Sequence, residues 1–168
     1  MRREQFFDNA FEELIDIERG YVDDPLDNGG ETKYGVSKRS YPYLDIKNLT
    51  LCKAKGIYKR DYWALSGADR IDDYQIALEL FDTGVNMGVY MAKIILQRSL
   101  NIMNRNEQDY KDIGVDGDVG PKTMGAYAIA NKKTLLKVMN GYQFMRYVEI
   151  TESNPAQERF FNGWMKRV

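Results

Sequence analysis

The chain has 168 residues, a net charge of −1, one cysteine and no histidine. That length suits one domain, or one domain with a small appended lobe, and buries roughly 70% of its unfolded surface without a staple. The charge excludes the basic stripe of a nucleic-acid binder, the missing histidines exclude Ser-His-Asp and Cys-His nucleophiles and most zinc sites, and the lone Cys52 excludes an internal disulfide.

A hydrolase built from this composition must move protons with carboxylates. Neither a cofactor nor a metal is expected. The first residues, Met1 to Asp8, carry two arginines but no apolar stretch of the kind a secretory signal needs. No apolar run approaches the ~20 residues of a membrane span, so no integral membrane segment is expected. The chain is expected to be made in the cytoplasm and to be monomeric. A target in the cell wall would then require release by a holin or another release system.

The first element is a helix over 3–18. Phe7, Phe11, Leu14 and Glu18 follow steps of four, three and four and so share one face. Glu18 therefore ends the apolar stripe instead of joining Asp8, Glu12, Glu13 and Asp16 on the solvated side. Gly20 stops the helix. Residues 21–36 carry Pro25, Asn28, Gly29, Gly30 and Gly35, which is turn chemistry and reads as a short irregular hairpin. Ser37 is positioned to cap a short helix ending before Pro42, and Thr50 to cap a second from Leu51 to about Trp63. Cys52 in that helix reads as a small buried hydrophobe.

After the break at Ser66 and Gly67, apolar helices are expected over 72–86 and from Val89 to Met103, with Gly88 between them. Gly84 implies close packing or an early end. Residues 104–113 are polar and read as a mobile loop. The run from Val115 to Thr123 is a turn entering a helix, with Pro121 near its first turn. Helices follow over 122–130 and 133–151, and a short last helix starts at Pro155. The fold class is all-α, with one irregular Gly- and Asp-rich loop.

Glu18, Asp27 and Thr32 are the candidate catalytic group. A carboxyl held against apolar side chains resists ionisation, which keeps a proton available for a glycosidic oxygen. Asp27, in a loop rich in backbone N–H groups, stays ionised and can activate a water or stabilise oxocarbenium charge. Thr32 can orient that water. On residue chemistry alone the plainer reading, a solvated glutamate and an ordinary turn, outweighs this one. A calcium loop fits poorly, because the twelfth residue from Asp23 is Tyr34 and from Asp116 is Tyr127, not glutamate. Asp82 and Asn86 lie one turn apart on a helix and suit either sugar hydrogen bonds or a packing role. Among the aromatics, Tyr21 and Tyr34 belong to the loop and are the candidates for stacking on sugars. The run Asp116 to Thr123 suits a wall contact or a helix cap equally.

Glu18-Arg19-Gly20-Tyr21, Asp24-Pro25, Asp27, Gly29-Gly30, Thr32 and Gly35-Val36 resemble the signature of the glycoside hydrolase family 108 N-acetylmuramidases. The likeness continues in Tyr58, Tyr62-Trp63, Asp82-x-x-Val85-Asn86-x-Gly88 and Asp116-Gly117-x-x-Gly120-Pro121-x-Thr123. It closes with Arg146-Tyr147, Pro155 and Phe161-x-Gly163-Trp164-x-x-Arg167. The resemblance implies a mostly helical, lysozyme-like enzyme of phage or prophage endolysin type, acting on peptidoglycan glycan strands at the muramic acid–glucosamine β-1,4 bond, with Glu18 as its catalytic residue. It implies a catalytic region over 1–88 and a peptidoglycan-binding region over 89–168, packed as one compact unit. Phage-type lysozymes show a similar Glu…Asp…Thr order with eight residues between the acids, as between Glu18 and Asp27, which points to inversion; Thr32 is one residue nearer than in that pattern. Arg19 departs from the family pattern, which has glycine there. A guanidinium turned toward Glu18 would favour its ionised form and oppose the acid role. The alternative that Arg19 supports is a non-catalytic peptidoglycan-binding or secretion-accessory protein on the same scaffold.

Overall fold

The computed structural model describes residues 2–15 and 30–168, with the backbone of Tyr21 and Val22. The chain packs as two units, Met1–Ala64 and Leu65–Val168.

In the first unit, a 3-10 turn over Arg3–Gln5 leads into helix α1, Phe6–Ile15. The expected stripe is real: Phe7, Phe11 and Leu14 are buried, flanked by Phe6, Ala10 and Ile15. Residues 16–20, where the stripe would reach Glu18, lie outside the described residues. Three two-residue strands follow, β1 (Tyr21–Val22), β2 (Thr32–Lys33) and β3 (Val36–Ser37). They form one antiparallel sheet in the order β1-β2-β3, with Tyr21 opposite Lys33 and Lys33 opposite Val36. The β2–β3 connection is two residues, Tyr34 and Gly35, at φ of 52° and 72°. Positive φ at both positions is the turn whose twist matches paired strands.

Ser37 does not cap a helix. It belongs to β3, and its Oγ accepts from the Ser40 N–H at 3.2 Å, so it closes a single turn before Pro42. The sheet claims the backbone that a helix would need. Thr50 caps α2 (Leu51–Tyr58) as expected, its Oγ1 accepting from the Lys53 N–H at 3.3 Å. The helix then widens into a π-helical turn, Lys59–Ala64. Ala54, Ile57 and Tyr58 form its buried stripe. Cys52, expected inside, is exposed, because two residues before Ala54 it points off that stripe. Aromatic edges hold this unit together: Phe7 meets Trp63 at 5.6 Å between centroids and Phe11 meets Tyr58 at 5.5 Å, both T-shaped.

In the second unit, Gly67 takes φ +85° and breaks the chain before a 3-10 turn at Ala68–Arg70. Asp73 caps α3 (Tyr74–Met87), accepting from the N–H groups of Gln75 and Ile76. Gly88, at φ +91°, separates α3 from α4 (Val89–Met103). Gly84 does not end α3. It faces α4, where a Cβ would make only ordinary contacts, 3.7 Å to Val89 and 3.9 Å to Ala92, so the packing there is close without requiring glycine. Pro121 opens α5 (Pro121–Ile129), and Asn131 caps the long α6 (Lys132–Ser153). A 3-10 turn at Pro155–Gln157 leads into α7 (Glu158–Trp164).

Helix α3 packs on both α4 and α6. Ile76, Leu80, Phe81, Leu96, Leu100, Leu135 and Met139 are fully buried there, and each contributes roughly 1.5–3 kcal/mol by leaving water. The polar loop over 104–113 is tied down by side chains: Asn101 of α4 bonds both ways to Ile113, Asn104 donates to Asp112, and Tyr110 donates to the Leu100 carbonyl. Among the described residues, no helix is long and apolar enough to cross a membrane.

Candidate functional site

The β2–β3 hairpin carries the first candidates. Thr32 is half-buried and its Oγ1 donates to the Gly30 carbonyl at 3.2 Å. With its proton committed there, the hydroxyl has only lone pairs to offer a water. Tyr34 sits at the turn in a conformation that few non-glycine residues adopt. The buried Tyr58 hydroxyl donates to the Tyr34 carbonyl at 3.0 Å and pins the turn to α2. The Lys33 ammonium lies 5.6 Å from the centre of the Tyr34 ring. Tyr21 pairs through its backbone with Lys33, which brings β1 to the same sheet as Thr32. Glu18, Asp27 and the neighbouring Arg19 lie outside the described residues.

Elsewhere in this unit, Asp61 accepts two bonds from Arg60, at 2.5 and 2.7 Å, and one from the Tyr41 hydroxyl at 2.8 Å. Arg60 holds the Asp61 carboxyl below the usual range, while burial and then Asp61 push the Tyr41 hydroxyl upward. This network ties residues 41 and 61 together.

The second unit holds a polar cluster inside its helices. Asp82 Oδ1 accepts from Arg167 Nη1 at 2.6 Å and from Asn86 Nδ2 at 3.2 Å, and Oδ2 accepts from Gln143 Nε2 at 3.2 Å. The Arg167 and Asp82 side chains are only 9% and 14% exposed. Gln143 Nε2 also donates to Thr83 Oγ1, which donates to Glu79 Oε1 at 3.0 Å. Burial pushes Glu79 up to about 7, against the Thr83 bond and with the help of the nearby Asp82 charge. Burial also raises Asp82, outweighing the attraction of Arg167, as the desolvation of a buried pair allows. The Tyr147 hydroxyl is buried in this region with no hydrogen-bond partner among the described residues, and its ring stacks on Trp164 at 5.0 Å.

A third polar group organises the run from Asp116 to Thr123. Gln97 is 1% exposed. Its Nε2 donates to Asp116 Oδ1, the Asp118 carbonyl and Thr123 Oγ1, and its Oε1 accepts from the Gly117 N–H. The Gln97 bond holds the Asp116 carboxyl below its usual range. Gly117 is at φ +74°, and a Cβ there would lie 2.5 Å from the Tyr90 ring. The loop borders a groove of about 340 Å³ lined by Gln97, Asp116, Asp118, Lys122 and Thr123.

The structure thus brings Thr32, Tyr34 and the Tyr21 backbone to one small sheet, and Asp82 and Asn86 to one turn of α3. Sequence reasoning missed Glu79 and Gln143, and met Arg167 only as the last position of a closing motif. A signal for Glu79 existed: like Glu18, it is a carboxyl set within an apolar helical stripe, here between Ile76 and Leu80.

Two family models match the chain. One described as "Glycosyl hydrolase 108" covers residues 11–88, and one described as "Predicted Peptidoglycan domain" covers 91–168. Among solved structures, one titled "Structure of Brucella abortus SagA" is similar at 23% identity and a TM-score of 0.75, over 98% of this chain and 90% of that one. No curated protein matches.

Proposed function

The chain belongs to glycosyl hydrolase family 108, carries a peptidoglycan domain and is thus a peptidoglycan hydrolase of all-α, lysozyme-like fold; on that premise we propose that it is an N-acetylmuramidase, cleaving the β-1,4 bond from muramic acid to glucosamine. The observation that carries this reading is the family match over 11–88, which spans Glu18, Asp27 and Thr32 in a chain without histidine.

Glu18 is the general acid. The family match over 11–88 spans its position, and a chain without histidine leaves a carboxyl to supply the proton. Asp27 takes one proton of the attacking water. Thr32, whose hydroxyl donates to the Gly30 carbonyl, accepts a hydrogen bond from the water's other O–H, which stays on the product hydroxyl and leaves a lone pair aimed at the anomeric carbon. Inversion needs room for that water, with the two carboxyls about 6.5–9.5 Å apart. Tyr21 and Tyr34 stack on sugars, and Asp82 and Asn86 serve glycan binding from α3. Residues 1–88 form the catalytic region and 89–168 the wall-binding region. The monomeric enzyme meets the wall after release by a holin or another release system.

Glu18→Gln tests the assignment. The variant should clear wall suspensions about 10²- to 10⁴-fold more slowly, the range for a lost general acid or base, with an unchanged circular dichroism spectrum. Near-normal clearing would refute it. A wild-type chain that is retained by purified walls but releases no reducing sugar would select the non-catalytic alternative.

A further inference from the structure

Asn86 stands near the end of α3 with an exposed side chain. Its Nδ2 donates to the Asp82 carbonyl at 2.8 Å and to Asp82 Oδ1 at 3.2 Å. Both amide hydrogens are therefore committed to one residue. Turning the amide over would set its oxygen against two acceptors, so the orientation is fixed with the oxygen as the atom left to a ligand. Among the described residues no donor reaches that Oδ1, and Asn86 has no further interaction beyond those named.

The partner that fixes Asn86 is itself fixed. Asp82 is held by Arg167 at 2.6 Å and by Gln143 at 3.2 Å, in a setting where both members of the ion pair are nearly excluded from water. A lone surface asparagine needs none of this support. An exposed carbonyl acceptor held at fixed orientation by a buried charge pair is suited to reading a donor that is fixed as well. On a peptidoglycan glycan strand, the planar acetamido N–H at carbon 2 is such a donor, whereas a hydroxyl rotates.

Resting on the peptidoglycan hydrolase reading, we infer that Asn86 is a glycan-binding residue that accepts a hydrogen bond from an N-acetyl group, and that Asp82 and Arg167 are positioning residues that hold its amide for that bond. Nothing in this assignment needs Asn86 to touch the bond that is cleaved. It acts on affinity and on the choice of sugar, not on the chemical step.

The test measures wall hydrolysis by the full chain, with tetra-N-acetylchitotetraose and cellotetraose as competitors. Asn86→Ala should raise KM about five- to tenfold, the value of one net hydrogen bond to a neutral group, with kcat unchanged. It should narrow the wild-type preference for chitotetraose over cellotetraose by the same factor. Arg167→Met should reproduce the KM change and the narrowed preference, and Arg167→Lys should restore both, since an ammonium still holds Asp82. A purely structural role for Arg167 would instead lower the active fraction with KM and preference unmoved, and that outcome overturns the positioning claim. An Asn86→Ala chain with wild-type KM and wild-type preference overturns the binding claim, while its wall cleavage leaves the hydrolase reading standing. A wild-type chain that cleaves no wall overturns both readings.

Discussion

The two units solve the same problem, holding helices together, with different materials. In Met1–Ala64 the interior is aromatic: Phe7, Phe11, Tyr58 and Trp63 meet edge to face, and the polar pairing of Arg60, Asp61 and Tyr41 lies nearer the surface. In Leu65–Val168 the aliphatic core admits charge: Glu79 and Asp82 stand inside α3 and are answered by Thr83, Gln143, Asn86 and Arg167. The aromatic packing of the first carries no charge. The second responds to pH, because a buried carboxyl favours its protonated form. Apolar packing tolerates neighbours of the right size, whereas buried charge demands specific partners, and Arg167, one residue from the end of the chain, is one of them.

The largest expected effect lies in the aromatic unit. Phe11 is 2% exposed, and Phe11→Ala should cost about 3–5 kcal/mol, since a large cavity adds to the lost transfer energy. Urea unfolding at pH 5 and pH 8 should give the same loss at both. A loss that varies with pH would break the contrast between the units.

The next effect belongs to Glu79. Its folded value, about 7, lies above the ordinary 4.5. The folded state thus holds the proton more tightly, so the contribution to stability is full below about 4.5, falls as pH rises from there to about 7, and remains an opposing term above that. A rise of this size is on the order of 3 kcal/mol across the window. Glu79→Gln keeps an acceptor for Thr83 and removes the titration. The variant should be more stable than wild type at pH 8 and should show a flatter pH profile from 4.5 to 7. An unchanged slope would mean that Glu79 does not set it.

The smallest effect is local. Thr50→Ala removes the α2 cap and should cost about 1 kcal/mol, again without pH dependence, by chemical denaturation. A loss under a few tenths would mean that water serves the Lys53 N–H equally well.

These contrasts were unequally legible in the sequence. Helix α4 runs from Val89 to Met103 as expected, because Gly88 punctuates its start and Ala92, Ile95, Leu96 and Leu100 repeat with helical period. Thr50 and Pro121 announce helix starts by chemistry that acts within one turn. Ser37 misleads for the opposite reason: its fate depends on pairing with Thr32, a partner across the hairpin. Cys52 misleads because residue type alone says nothing about which face of α2 it occupies. Of the candidate site, the sequence marks Thr32, Tyr34, Asp82 and Asn86 as polar or aromatic groups beside turns and apolar stripes. It does not mark that Thr32 spends its proton on Gly30, or that Asp82 is met by Arg167 from 85 residues away. Such contacts belong to tertiary structure and have no local period.

The central claim, hydrolysis at muramic acid, is tested most directly by mass analysis of fragments released from purified peptidoglycan, after reduction with borohydride. A muramidase leaves muramic acid at the new reducing end, so the fragments should carry N-acetylmuramitol. Fragments ending in N-acetylglucosaminitol, or in a non-reducible anhydromuramic acid, would contradict the account.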